Sequence, residues 1–260
     1  MNYPKIIHQT WKTNDIPEHW KISQMKWKEL HPDYTYMFWT DNDIRNYIQT
    51  NYPQYLEIHD NYKHNIQRAD MIRYFILYDF GGIYCDLDLY PIENIEKHLI
   101  NYNSDILVCK SGNIDIITNS FMISKKNAPI WLKVQEKLKD KKPFFAIGKH
   151  FTVMYTTGSI MLSNMLKKNK EYFSLLPSEK FMAYSSNDDF SIVKEGAIIL
   201  PLEGKSWNGI DSLIFNLLNK YREQITDLII DENMKTNLSK SLFDCLFIGD
   251  SIETIYILKI

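Results

Sequence analysis

The stretch Gln67–Pro91, QRADMIRYFILYDFGGIYCDLDLYP, constrains the chain most. It reads as helix, sharp turn, strand, then two carboxylates one residue apart. Ala69, Ile72, Phe75, Ile76 and Asp79 share one side at 3.6-residue spacing, a mostly apolar stripe that faces a core. Gly81-Gly82 stops the helix, because glycine accepts the left-handed conformation that helix ends often need. From Ile83 to Tyr90 the residues alternate. Ile83, Cys85, Leu87 and Leu89 fall on one face and Tyr84, Asp86, Asp88 and Tyr90 on the other. A continuous strand ending at Pro91 therefore sets both aspartates side by side.

Two adjacent carboxylates repel, and each raises the other's pKa unless a cation lies nearby. A hard divalent ion with oxygen ligands, Mn²⁺ or Mg²⁺, relieves that repulsion and keeps positions open for water or a diphosphate. A bare Asp-x-Asp is more often a solvated strand end. Its place after an apolar helix, a Gly-Gly turn and a β-rich run favours a site.

Arg68, Ala69, Asp70, Arg73, Tyr74, Leu77, Gly81, Gly82, Ile83, Tyr84, Asp86 and Asp88 follow the pattern R-A-D-x-x-R-Y-x-x-L-x-x-x-G-G-I-Y-x-D-x-D. This resembles the sugar-binding region of glycosyltransferase family 32. The N-terminal Pro4, Lys5, Ile7, His8, Gln9 and Trp11 are similar to the family's opening P-K-x-I-H-Q-x-W. Trp39-Thr40-Asp41 matches its W-T-D step. The resemblance implies the GT-A nucleotide-diphospho-sugar fold, an α/β architecture with a mostly parallel central sheet flanked by helices. It also implies a retaining, metal-dependent transfer of a hexose from a UDP- or GDP-sugar to a glycan, lipid-linked or protein acceptor.

The same resemblance assigns roles. Asp88 binds the ion, and Asp86 holds ribose and sugar hydroxyls or reaches the ion through water. Asp70 and Arg73, one helical turn apart, hydrogen-bond the donor sugar. His8, Gln9, Arg68, Tyr84, Asn119 and Gly158 fall among the substrate-binding positions. Trp11 stacks on the base, a contact worth about 1–3 kcal/mol by analogy with single-stranded nucleic acid; it reads equally well as a core residue. Near Pro201 the usual histidine is missing. Glu203, Ser206 and Trp207 instead resemble the Glu-x-x-Ser closing segment of toxin glucosyltransferases. They imply that Glu203 and Ser206 complete the metal shell with Asp88, and that Trp207 lies near the β-phosphate.

The 260 residues suffice for one α/β domain, and no repeat or low-complexity linker divides them. A net charge of −2 gives no global basic field for nucleic acid. The three cysteines, Cys85, Cys109 and Cys245, are widely spaced and suggest no disulfide framework. No apolar run has signal-peptide or membrane-spanning length, which points to a cytoplasmic enzyme or a trimmed chain, with peripheral membrane contact left open.

Along the chain, Lys5–Trp11 and Asp33–Trp39 read as strands. Glu18–Leu30 reads as a helix packed through Trp20, Met25 and Trp27, and Thr40 or Asp41 caps the next helix. Strands follow at Ile106–Cys109 and Ile116–Ile123. A helix then buries Ile130, Trp131, Val134 and Leu138 beneath a lysine-rich, solvated face. Short strands are expected at Phe173–Ser178 and Ala197–Leu202. Beyond Ile210, helical patterns cover Ser212–Arg222 and Thr236–Leu246, and ETIYILKI reads as an edge strand or a partner-facing tail.

Two other readings compete. In a magnesium-dependent phosphatase or phosphotransferase, Asp86 would be the nucleophile, although that residue normally ends a first strand near the N-terminus. A non-catalytic nucleotide-sugar binding module is the second.

Overall fold

The structure, a computed structural model, describes residues 3–111, 115–143, 146, 148–182 and 195–202, and the backbone of 247–248 and 255–256. The chain forms two compact units, 1–143 with 152–207, and 144–151 with 208–260.

The first unit opens with β1 (Ile6–Thr10), α1 (Glu18–Leu30), β2 (Thr35–Trp39), α2 (Asp41–Asn51), α3 (Leu56–Asn61) and α4 (Asn65–Asp79). There follow β3 (Gly82–Cys85), β4 (Leu89–Pro91), β5 (Ile106–Lys110), β6 (Ile117–Ser124) and α5 (Ile130–Lys137). After α6 (Gly148–Thr156) come α7 (Ser159–Lys167), β7 (Phe173–Leu175), α8 (Ser178–Phe181) and β8 (Ile199–Pro201). In the second unit, β9 (Phe247–Ile248) pairs antiparallel with β10 (Ile255–Tyr256), which falls within ETIYILKI.

Six strands form one sheet in the order β2-β1-β3-β6-β5-β7, with β6 running against the other five. The sheet is mostly parallel and flanked by helices, the α/β arrangement expected from the sequence. From β1 the chain passes through α1 to β2 on one side, then through α2–α4 to β3 on the other. Such a reversal opens a crevice beyond the carboxyl ends of the strands, the usual ligand position in open α/β sheets. Trp11 follows the end of β1 and Asp86 the end of β3, so the crevice lies between them.

Alternation along the strands divides the core into two layers. Ile106, Val108, Met122 and Tyr84 join α2, α4, α5 and α7 on one face. Leu107, Cys109, Phe121, Ile123, Ile83 and Cys85 join Trp27 and Phe181 on the other. In α4 every residue from Asp70 to Leu77 is buried, so the helix is enclosed all round rather than along one stripe. Asp79, at its polar end, accepts bonds from Tyr52 at 2.7 Å and from Tyr47.

Local chemistry explains the element ends. Pro32 prevents α1 from continuing beyond His31. Thr40 caps α2 reciprocally: its hydroxyl accepts from Asp43 N–H at 3.2 Å, and the Asp43 carboxylate accepts from Thr40 N–H at 3.0 Å. Trp20 and Trp27 pack inward as expected, whereas Met25 is 67% exposed. It follows Trp20 and Ser23 at spacings that carry it off their side of the helix.

Gly81 and Gly82 turn the chain from α4 into β3 with φ of 66° and 90°. A Cβ at Gly82 would lie 2.5 Å from the Ile6 carbonyl oxygen, so β1 could not pair at its observed distance. Gly196 also has positive φ, but a Cβ there meets nothing within 4 Å. Gly82→Ala is therefore expected to cost at least about 3 kcal/mol in urea unfolding, and Gly196→Ala only about 1–2 kcal/mol of backbone strain. Equal losses would contradict the steric account.

Candidate active site

The expected strand from Ile83 to Tyr90 breaks at the aspartates. Asp86 N–H donates to Ser120 O at 2.8 Å, a last tie to β6, and Leu89 N–H then donates back to Asp86 O at 3.1 Å. The acidic pair thus occupies positions one and three of a turn that moves the chain from the main sheet to the β4–β8 ribbon. Leu87 is the pin. It is buried with Ile16 and Trp20, against Trp11, Phe38 and Leu202. On the far side, Ser23 Oγ and Trp27 Nε1 both donate to Leu89 O, at 2.6 and 2.8 Å.

Arg73 joins this turn to the interior. Its Nη2 lies 3.1 Å from Asp86 Oδ1 and 3.3 Å from Asp70 Oδ1. Nη1 donates to Asn119 O at 2.8 Å and Nε to Ala69 O at 3.2 Å. The guanidinium also lies 4.7 Å from the centre of the Tyr84 ring. Tyr84 O–H donates to Asp86 Oδ1 at 2.7 Å and stands 3.1 Å from Thr10 Oγ1. Asp86 is therefore held from two directions. Among the described residues, no side chain bonds the Asp88 carboxylate.

Burial raises the pKa of both acids. For Asp86 the Arg73 charge opposes that rise, whereas Asp88, with the Asp86 charge beside it, is pushed up to about 7. An oxygen pair with one fixed member and one unpartnered, electrically strained member suits a hard divalent cation. Asp88 and Asp86 fit that role. Leu202 N–H donates to Asp88 O at 2.6 Å, which brings the chain just before Glu203 to the acidic turn. Glu203, Ser206 and Trp207 themselves lie outside the described residues.

The other expected positions divide. Trp11 is half-exposed, edge-on to Trp20 at 4.7 Å, with Nε1 donating to Asp15 O. Gln9 is buried: it accepts from Tyr36 O–H at 2.6 Å and reaches Asp86 O at 3.4 Å, so it braces the turn. Asp70 is enclosed and pushed up to about 6 by burial, although Arg73 opposes the shift. Its Oδ1 accepts from Asn119 Nδ2 at 2.9 Å and its Oδ2 from Thr157 Oγ1 at 3.1 Å.

At five of the expected substrate-binding positions the structure shows what the residue does within the protein. His8 is fully buried: its Nε2–H donates to Gly81 O at 3.0 Å, and its Nδ1 accepts from Trp39 Nε1–H at 3.2 Å. Arg68 clamps the end of α3, donating to His59 O, Asp60 O, Tyr62 O and Asn65 Oδ1. Tyr84 is buried and acts on Asp86. Asn119 donates to Asp70 and accepts from Ser159 Oγ at 2.9 Å. Gly158 provides space, since a Cβ would lie 3.1 Å from Val153 O and 3.5 Å from Asp70 Oδ2. Sequence reasoning missed Thr157, Ser159 and Thr10. The hydroxyls flanking Gly158 were the available signal.

Residues 17–105 match the family model described as "Glycosyltransferase sugar-binding region containing DXD motif". Over that stretch, which holds α4, the Gly81-Gly82 turn and both aspartates of the acidic turn, the chain resembles this family. Inositol phosphoceramide mannosyltransferase 3 of Schizosaccharomyces pombe is 45% identical over 163 residues, covering 62% of this chain and 44% of that protein. Mannosyl phosphorylinositol ceramide synthase CSH1 of Saccharomyces cerevisiae is 36% identical over 227 residues, covering 84% and 56%. The chain spans about half the length of these curated relatives. The solved PaToxG glycosyltransferase is 19% identical with a TM-score of 0.48, covering 64% of this chain and 70% of that one. The expectation of a cytoplasmic enzyme is overturned, because the relatives are named for acting on a membrane lipid. Among the described residues no helix is long and apolar enough to cross a membrane.

Burial pushes His8 down to about 4, so it is neutral in the folded protein. Between that value and about 6.5 the unfolded chain binds the extra proton. This contribution to stability is present above pH 6.5 and is lost as pH falls towards 4. His8→Gln keeps a donor and an acceptor but no titration. The stability gap between wild type and His8→Gln is therefore expected to narrow by about 2 kcal/mol from pH 7 to pH 5 in urea unfolding. A constant gap would contradict the buried, neutral imidazole.

Proposed function

We propose that this glycosyltransferase moves a hexose from a nucleotide-diphosphate sugar to a hydroxyl acceptor, with Mn²⁺ or Mg²⁺ at the acidic turn and retention at the anomeric carbon. Its likeness to enzymes named mannosyltransferases favours mannose, and their ceramide names favour a glycolipid acceptor. The observation that carries the reading is the asymmetry of the acidic pair at the mouth of the strand crevice. Asp86 is fixed by Arg73 and Tyr84, while Asp88 has no side-chain partner among the described residues.

Asp88 would hold the cation, with Glu203 and Ser206 as the proposed remaining ligands. Leu202 N–H on Asp88 O supports Glu203 by bringing its chain neighbour to the turn. When bound, the cation supplies Lewis-acid neutralisation of the charge that grows on the departing diphosphate. Trp11 would offer its ring to the base, and Trp207 would lie near the β-phosphate. Asp86 would orient ribose and sugar hydroxyls, its carboxylate held still by Arg73. The acceptor hydroxyl would attack on the face from which the diphosphate leaves, since the resemblance to a retaining family supplies no covalent nucleophile.

Asp88→Asn is expected to lower transfer about 10²–10³-fold with little change in melting temperature, because it breaks no side-chain bond. Asp86→Asn should lose activity and also destabilise the fold by about 1–3 kcal/mol, because it weakens the partner of a buried arginine. Full activity in Asp88→Asn would defeat the metal assignment. In NMR of the product, an inverted anomeric centre would rule out retention.

A further inference from the structure

A metal ligand has to be held still, and neighbouring groups usually do the holding. Among the described residues no side chain bonds the Asp88 carboxylate, so the main chain around it sets its place. The Asp88–Leu89 peptide is tied at both atoms: Leu202 N–H donates to Asp88 O at 2.6 Å, and Leu89 N–H donates to Asp86 O at 3.1 Å. The next peptide begins with the Leu89 carbonyl. Leu89 stands opposite Pro201 in the β4–β8 ribbon, and proline has no N–H to offer. Among the described residues β4 pairs with β8 alone, so no strand lies along its other edge. Helix α1 takes that place. Ser23 and Trp27, four residues apart on one face, both donate to Leu89 O, from Oγ at 2.6 Å and from Nε1 at 2.8 Å. Both residues are fully buried. One donor satisfies a buried carbonyl, whereas two fill both lone pairs and fix the plane of the peptide. A helical serine commonly returns its proton to a carbonyl of the preceding turn. Ser23 spends it on a strand 66 residues away.

We propose that Ser23 is a positioning residue for the metal site: by holding the Leu89 carbonyl it fixes the main chain that aims the Asp88 carboxylate. This rests on the reading of the acidic turn as a divalent-cation site. Trp27 anchors the same carbonyl, but its ring is also core, stacked on His31 and Phe121. Ser23 brings only a hydroxyl to the turn. Ser23→Ala removes one oxygen atom and leaves Leu89 O with its Trp27 donor, so it loosens the carbonyl without orphaning it.

The test titrates Mn²⁺ into wild type and Ser23→Ala and reads the free ion by electron paramagnetic resonance. The variant should melt within a few degrees of wild type yet take up Mn²⁺ about five- to tenfold more weakly. Its transfer should fall in step at limiting Mn²⁺ and recover when the ion saturates. In the Asp88→Asn background the ligand being aimed is already gone, so adding Ser23→Ala should leave the residual transfer unchanged within about twofold. A purely structural serine predicts the reverse: unaltered Mn²⁺ uptake, and the same loss of transfer whether or not Asp88 is present. Either result would overturn the proposal and leave the metal reading standing. Should Ser23→Ala not fold, Ser23→Cys, a weaker donor of similar size, replaces it with an expected loss in Mn²⁺ affinity of about two- to threefold, and affinity equal to wild type would overturn the proposal. If wild type itself takes up no Mn²⁺, the metal reading falls and this inference falls with it.

Discussion

A guanidinium in the protein interior organises this site. Arg73 sits on a helix enclosed on every side, where an unpaired charge would be untenable. It is tolerated because Asp70, Asp86 and the Asn119 carbonyl converge on it from α4, the acidic turn and β6. Such buried networks add little net stability over apolar packing, but breaking one partner typically costs about 3–5 kcal/mol. Their value here is geometric. Three elements distant in sequence are held in one register, and that register points Asp86 out at the ends of the strands.

The acidic turn converts this rigidity into chemistry. Had β3 continued, both aspartates would have stood on one strand face in equivalent surroundings. Because the chain turns at Asp86 and Leu87 is drawn into the Trp20 cluster, the two acids differ. One is bonded by Arg73 and Tyr84, and the other has no side-chain partner among the described residues. The β4–β8 ribbon then returns the chain to Asp88 through the Leu202 bond. The site is thus assembled from the core outward, with the least satisfied group at its edge.

Much of this was legible in the residues. Glu18–Leu30 has the expected limits, Thr40 caps α2, and Gly81-Gly82 makes the left-handed turn. Ile130, Trp131, Val134 and Leu138 all face inward. These features depend on local periodicity and backbone sterics, which a sequence states directly. What misled was tertiary. Strict alternation through Leu87 could not reveal that the pairing of this strand with β6 stops at Ser120. The bonds that His8, Arg68, Tyr84 and Asn119 make within the protein were likewise invisible, because their partners lie on other elements. Only the fold brings Thr157 to Asp70 and Ser159 to Asn119. Ser212–Arg222 and Thr236–Leu246 lie outside the described residues.

The central claim is that the acidic turn takes up a divalent cation and the nucleotide diphosphate together. Titrating GDP and UDP calorimetrically into manganese-loaded protein, and into the same protein held in chelator, tests it most directly. The account predicts at least about hundredfold tighter uptake of one nucleotide when the metal is present. Identical affinities in the two titrations would contradict it.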